Sequence, residues 1–360
     1  MPNFDIIKTN KTDLTFRVSS VIGKFDLQSN ETTEHFKGKI DLSTDWKVGL
    51  IVGKSGSGKT TIAKQLFENS YITKFEYTNK SILDDMPNWC SVSDITNAFN
   101  SVGFSSPPSW LKPYFVLSNG EKMRCDLARS ILEKNEMIVF DEFTSVLDRN
   151  VAKIGSFAIQ KAIRKSNKKF IAVGCHYDIE DWLMPDWVFN TDTMTFHSFE
   201  GQKKNRPKIK FNIYKAKNKS IWEMFAKHHY LSHTHNNAAH VYLATINDEI
   251  AGFISVLHLP HPHVKNIKKV HRLVILPDYQ GAGFGIKFLN EIGKIYKNEN
   301  YRYSIVTSAP SLIYALKKSN KWMCKNFGRL KGGGSGLLHG KKSKSTSNSK
   351  NRITASFEMK

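Results

Sequence analysis

Gly53-Lys54-Ser55-Gly56-Ser57-Gly58-Lys59-Thr60 constrains this chain more than any other stretch. The apolar run Val48–Val52 precedes it and reads as a buried strand. Residues 60–69 follow it as a helix, with Ile62, Leu66 and Phe67 on one face. A glycine-rich turn between a buried strand and a helix belongs to a parallel sheet with crossover helices. The turn's backbone N–H groups wrap phosphates, and the helix N-terminus adds positive potential. Gly53, Ser55, Gly56, Gly58, Lys59, Thr60 and Thr61 form this cradle, with Lys59 reaching the β- and γ-phosphates and Thr60 binding Mg²⁺.

Two further apolar runs, 137–140 and 170–174, read as strands of the same sheet. The first ends in Asp141-Glu142. A carboxylate at a strand end holds Mg²⁺, the role expected of Asp141 beside Thr60. The next acid, Glu142, is placed to orient the attacking water as a base. Magnesium and ATP are the cofactors this pattern predicts.

Between these strands, Leu117-Ser118-Asn119-Gly120-Glu121 leads into a helical run. It resembles the LSGGQ signature of ABC ATPases, with Asn119 and Glu121 as departures. Ser145-Val146-Leu147-Asp148 resembles that family's D-loop, and His176 its switch histidine. The motifs stand in the family's order and cover about residues 40–190. The resemblance implies that Ser118 and the Gly120 N–H cap the γ-phosphate held by a second copy. A head-to-tail homodimer follows from that. Lys59 and Ser118 lie only 59 positions apart, and residues 70–117 contain no glutamine to serve as a Q-loop. Both departures fit a soluble member of the family rather than a transporter subunit.

The chain has 360 residues, enough for two domains. No window approaches the ~18 uninterrupted apolar residues of a membrane helix. Met1–Asp5 lacks the basic start of a signal peptide, so a cytoplasmic protein without a membrane partner is expected. Cys90, Cys125, Cys175 and Cys324 form no C-x-x-C pair and read as scattered thiols. Charge is uneven. Residues 1–200 hold 24 Lys+Arg and 25 Asp+Glu, whereas residues 201–360 hold 29 and 7. A neutral half joined to a strongly basic half points to a polyanion as partner of the second, with a merely Lys-rich surface as the alternative. The expected domains are an ATPase domain over 1–200, a basic linker over 201–210 and a second α/β domain over 211–360.

In that second domain, a strand over 270–276 is followed by Pro277, then Gln280-Gly281-Ala282-Gly283-Phe284-Gly285, then a helix over 285–296. Backbone N–H groups of such a turn bind pyrophosphate. The turn resembles motif A of the GNAT acyltransferases at Gln280, Gly283 and Gly285. The resemblance implies acetyl-CoA or a related acyl-CoA as donor, with Gly281 in the turn and Val274 and Leu276 beside the pantetheine arm. Tyr314 resembles the acid that protonates the leaving thiolate, and Ser308 is a second candidate; a core aromatic is the alternative for Tyr314. Within His228–His235, His229 and Tyr230 read as a substrate loop, weakly similar to phage Mom-like GNAT proteins that modify DNA bases. Period-2 alternation at Ile353, Ala355, Phe357 and Met359 predicts that 353–359 pairs with 322–328. The basic stretch between them, with Lys341, Lys342 and Lys344, is expected to contact nucleic-acid phosphates.

The expected fold class is α/β: a P-loop ABC ATPase domain with a parallel sheet, followed by a GNAT α/β domain. The expected function is ATP hydrolysis joined to acylation of a DNA or RNA base. A clamp with a non-catalytic GNAT module, and an acyltransferase acting on a small molecule or protein lysine, remain the alternatives.

Overall fold

The computed structural model describes residues 3–27, 31–72, 74–199, 209–217, 220–229, 234–260, 264, 266–329 and 353–360. In chain order they form β1 (Asn3–Lys11), α1 (Phe16–Phe25), β2 (Glu31–Lys39), β3 (Val48–Val52), α2 (Lys59–Leu66), β4 (Tyr71–Ile72), α3 (Val92–Ser101), α4 (Pro107–Trp110), α5 (Asn119–Leu132), β5 (Met137–Phe140), α6 (Arg149–Ile163), β6 (Lys169–Gly174), α7 (Glu180–Leu183), β7 (Trp187–Asn190), β8 (Thr195–Ser198), β9 (Phe211–Ala216), α8 (Trp222–Ala226), β10 (His240–Ile246), β11 (Glu249–His258), β12 (Ile267–Ile275), α9 (Phe284–Asn298), β13 (Arg302–Thr307), α10 (Pro310–Lys318), β14 (Trp322–Arg329) and β15 (Ile353–Met359). They fall into two compact units: Met1–Tyr77 with Arg129–Pro207, and Thr78–Ala128 with Lys208–Lys360.

The first unit holds a six-stranded sheet in the order β4-β5-β6-β3-β7-β8. All of its pairings are parallel except β7 with β8. Every residue of β3 is buried, as the continuous apolar run requires of a strand covered on both faces. Ile51, Ile62, Val139, Ile171, Val173 and Phe189 share one core. At Gly49 a Cβ would lie 2.1 Å from the Trp187 ring. Gly49→Ala is therefore expected to cost about 1–3 kcal/mol by overpacking, read as a lower thermal midpoint in calorimetry. The antiparallel β1–β2 pair, absent from the sequence reading and connected through α1, adds Phe4, Ile6 and Phe36 to this core.

The second unit holds a seven-stranded sheet in the order β14-β15-β13-β12-β11-β10-β9. Its neighbours run antiparallel except β12 and β13. α9 buries Phe288, Leu289, Ile292 and Tyr296 against the sheet, the spacing of one helical face. β14 and β15 pair as the alternation predicts, with Cys324 opposite Phe357 and with Ala355, Phe357 and Met359 buried. The expected basic stretch with Lys341, Lys342 and Lys344 lies outside the described residues. Residues 78–128 have their own small core, in which Phe99 meets Phe104 and Trp110 at ring-centroid distances of 5.2 and 5.6 Å. Among the described residues, no helix is long and apolar enough to cross a membrane.

Candidate functional site

β3 delivers the chain to a turn that only glycine fits at its first position. A Cβ on Gly53 would lie 2.1 Å from Thr191 Oγ1. Gly56 and Gly58 take φ of 81° and 85°, the left-handed region that favours glycine. Gly58 caps α2 without a side-chain bond. The first-turn N–H groups, which a helix leaves without internal acceptors, thus stay open to an anion. Lys59 Nζ donates to the Lys54 carbonyl, folding back across the loop. Ser55 and Gly56 are exposed, and Thr61 is half-buried at the start of α2.

Thr60 and Asp141, 81 residues apart, meet: Thr60 Oγ1 donates to Asp141 Oδ2 at 2.9 Å. Tyr71 Oη donates to the same carboxylate oxygen, and the Glu142 N–H donates to Asp141 Oδ1 at 2.8 Å. Burial, then the bond to Asp141, pushes the Tyr71 phenol well above its ordinary range, so it stays a donor. A hydroxyl and a carboxylate beside a phosphate cradle are the hard oxygen donors that suit Mg²⁺. Glu142 has φ of 49° and Thr144 of 68°, a tight turn of non-glycine residues at the end of β5. The Phe143 N–H donates to Val173 O at 2.8 Å and ties this turn to the end of the neighbouring β6, whence His176 follows. Asp148 caps α6, accepting from the Asn150 N–H at 2.8 Å. Tyr71 escaped the sequence reading because no motif marks it. Asp192 did too; it accepts from the Lys54 N–H at 2.9 Å and from Tyr177 Oη.

In the second unit, Ser118 is exposed and Gly120 buried at the start of α5. The departure at Glu121 has a local explanation. Its carboxylate accepts from the Ser118 N–H at 3.1 Å, while the Glu121 N–H donates to Ser118 Oγ at 3.3 Å. That reciprocal pair is a capping box.

The second glycine-rich turn repeats the build of the first. Gly281 and Gly283 have φ of 89° and 92°, and Gly283 caps α9 without a side-chain bond. A Cβ on Gly283 would meet nothing within 4 Å, and one on Gly285 only Ile275 at 3.6 Å. Beside the turn the sheet opens. β12 pairs with β13 only over Ile267–Lys269 with Arg302–Ser304. Beyond that, β12 keeps its partner β11, and β13 pairs with β15 instead. Val274 is buried with Trp222, Phe225, Val241 and Phe253, and Leu276 packs beside them. The Gln280 side chain is committed within the protein: Oε1 accepts from the Ser105 N–H and Nε2 donates to Ile275 O, both at 2.8 Å. The side chain thereby ties the turn to Ser105 and to the end of β12.

Tyr314 is 55% exposed on α10, which rules out the core-aromatic alternative. Lys318 Nζ lies 4.5 Å from its ring centroid. Ser308 follows β13 and is half-buried. His229 is buried, with its ring 5.8 Å from that of Trp222. Tyr230 lies outside the described residues. His271, not singled out by sequence, accepts the Asn236 N–H at Nε2 (3.3 Å), with the His235 ring 5.7 Å away. Burial, then Arg272 and His235, hold it down to about 4. The folded state therefore binds this proton less readily than the unfolded chain, whose histidine titrates near 6.5. Its contribution is complete above pH 6.5 and is lost as pH falls toward 4. His271→Asn is expected to flatten stability against pH across that window, measured by urea midpoints.

Residues 237–320 match the family model "Acetyltransferase (GNAT) domain". Among solved structures, a bacterial Atm1-family ABC exporter with ATP bound is 18% identical, with a TM-score of 0.34, and the match covers 44% of this chain and 33% of the exporter. The dimeric MJ0796, a bacterial ABC transporter cassette, is 12% identical over 52% of this chain and 92% of its own, with a TM-score of 0.39. Its post-hydrolysis state bound to ADP and Pi is 12% identical over 56% and 99%, with a TM-score of 0.41. These matches do not support the Mom-like similarity. With the motifs and strand order above, the chain carries an acetyltransferase (GNAT) domain over residues 237–320, joined to a P-loop fold whose motifs stand in the order of the ABC ATPases.

Proposed function

We propose that this protein hydrolyses ATP as a head-to-tail homodimer and transfers an acyl group from acyl-CoA to a base in nucleic acid. Two modules divide the work: residues 1–200 for ATP, and residues 211–360, after the linker 201–210, for acyl transfer. The observation that supports this reading is the pair of glycine-rich turns of one build, each running from strand to helix and capped by a left-handed glycine, Gly58 and Gly283. The second lies beside the opening between β12 and β13. An extended amide-bearing arm laid in that opening would bond to the edge of β12.

In the first module, Thr60 and Asp141 would hold Mg²⁺, which supplies positive charge to the phosphate oxygens. Lys59 and the turn's N–H groups bind the β- and γ-phosphates. Glu142 orients the water, and His176, two residues past the end of β6, faces the γ-phosphate. Ser118 and Gly120 of the second copy complete the site. In the other module, the acceptor amine attacks the thioester carbonyl, a C–N bond forms, the C–S bond breaks and the nitrogen gives up a proton to water. Tyr314, or Ser308, gives the leaving thiolate a proton. His229 and Tyr230 shape the acceptor side.

The charge contrast between the halves supports nucleic acid as acceptor. The triple variant Lys341→Ala, Lys342→Ala, Lys344→Ala is expected to reduce the slope of log K against log salt on duplex DNA by up to about three units of 0.9, with ATPase activity unchanged. An unchanged slope on DNA and RNA removes this stretch from the interface. Mass spectrometry of nucleosides from cells expressing the protein tests the whole reading. An acylated base absent from cells expressing Gly283→Val is the expected result. Acyl-CoA turnover with unmodified nucleosides, but with an acylated small molecule or lysine, shifts the acceptor; no turnover at all leaves a binding module.

A further inference from the structure

We propose that the segment 78–128, which carries the ATPase signature, is also the brace of the acyl-CoA turn, with Arg124 as its positioning residue. The inference rests on the acyl-CoA reading above.

Arg124 is six residues along from Ser118, in α5, and its side chain is 1% exposed. A guanidinium taken out of water is costly unless its donors are met. Its shortest bond leaves its own helix: Nη2 donates to the Asp278 carbonyl at 2.8 Å, across 154 residues. Nη1 donates to the Gly120 carbonyl at 3.3 Å and lies 3.8 Å from Asp278 Oδ1. Nε has no hydrogen-bond partner among the described residues. The buried charge is thus held chiefly by the backbone and carboxylate of Asp278, two residues before Gln280.

A separate part of the segment grips the same turn. Gly103 has φ of 84°, and a Cβ there would lie 2.5 Å from the Gln280 carbonyl oxygen and 3.0 Å from Gly281 Cα. Two residues on, the Ser105 N–H donates to Gln280 Oε1 at 2.8 Å. The Asp278 carbonyl, the Gln280 side chain and the Gln280–Gly281 backbone are therefore held at three points by Arg124, Ser105 and Gly103, immediately ahead of the N–H groups that would face the pyrophosphate. Such donors work only when held to within about 0.5 Å. Arg124 further links the turn to the signature, because the carbonyl of Gly120 and that of Asp278 share one guanidinium.

The test uses the full chain, with CoA titrated by calorimetry and acyl-CoA turnover measured on wild type, Arg124→Lys and Gly103→Ala. Lysine keeps the charge and loses the fork; alanine drives into the Gln280 carbonyl from the other contact. In both variants we expect CoA affinity to fall at least about tenfold (about 1.4 kcal/mol), the KM for acyl-CoA to rise in parallel, and kcat at saturation to stay within about twofold. Affinity for an ATP analogue should remain that of wild type. Loss of folded protein alone would instead lower kcat at constant KM. If Arg124→Lys does not fold, Gly103→Ala decides by itself. Folded variants that bind CoA as wild type does overturn the brace and leave the acyl-CoA reading standing. A wild-type chain that binds no CoA overturns both.

Discussion

Glu142→Gln is expected to keep nucleotide binding, lose ATP hydrolysis by at least about a hundredfold, and accumulate as a dimer when ATP is added. The amide keeps the side chain's size and removes its ability to accept a proton from water, a contribution typically worth about 10²–10⁴. The phosphate cradle is untouched by the change, since Gly53–Thr60 is ordered by its own contacts with Thr191 and Asp192. With binding intact and turnover blocked, the proposed head-to-tail dimer would keep two ATP molecules between its copies. Lys59→Ala separates the steps from the other side: it removes the only side-chain cation of the turn's second half, and nucleotide binding goes with it. Size-exclusion with light scattering reads both results. A Glu142→Gln protein that remains monomeric at millimolar ATP would rule out the head-to-tail arrangement.

The other large effect is expected at Gly283. Its φ of 92° strains any other residue by about 1–2 kcal/mol. A valine there points into open space above the turn, where nothing lies within 4 Å of a Cβ, the space an approaching pyrophosphate needs. Losing charge-assisted contacts with backbone N–H groups adds about 1.5–3 kcal/mol. The strain lowers the stability of the fold, and the lost contacts predict that CoA binding weakens by about one to two orders of magnitude in Gly283→Val. α9 itself should survive, because its apolar face at Phe288, Leu289 and Ile292 is unchanged. Calorimetry with CoA gives the affinity and far-ultraviolet circular dichroism the helix; undiminished affinity would take the turn out of the donor site.

Both glycine-rich strand-to-helix turns were legible in the sequence because each packs its requirement into consecutive residues: a strand, glycines, a helix. The pairing of β14 with β15 was legible for a similar reason, as Ala355, Phe357 and Met359 alternate over a short span. What escaped reading depends on residues far apart in the chain. Tyr71 meets Asp141 across 70 positions, and nothing around Tyr71 announces it. The β1–β2 pair escaped because only Phe4, Ile6 and Phe36 of its residues are buried, too few to stand out from a polar background. Gln280 matched a family motif, yet its side chain is turned to Ser105, an interaction that local spacing does not encode. At Glu121 the reverse holds: the residue departs from the family signature while the capping box with Ser118 is a local rule the sequence already spelled.

The chain enters the second unit at Thr78, leaves it after Ala128 and returns only at Lys208. This order matters while the protein is being made. Residues 78–128 are synthesised well before Asp278 and Gln280, the groups that receive Arg124 and the Ser105 N–H. Until those arrive, α5 carries a guanidinium without its Asp278 acceptors, an incompletely packed state of the kind that aggregates. β15 then has to enter between β13 and β14, already made, before the larger sheet is complete. A gene cut at the basic linker would not yield two independent proteins. Residues 1–200 expressed alone should be poorly soluble, and co-expression of residues 201–360 from a second message should restore them to the soluble fraction.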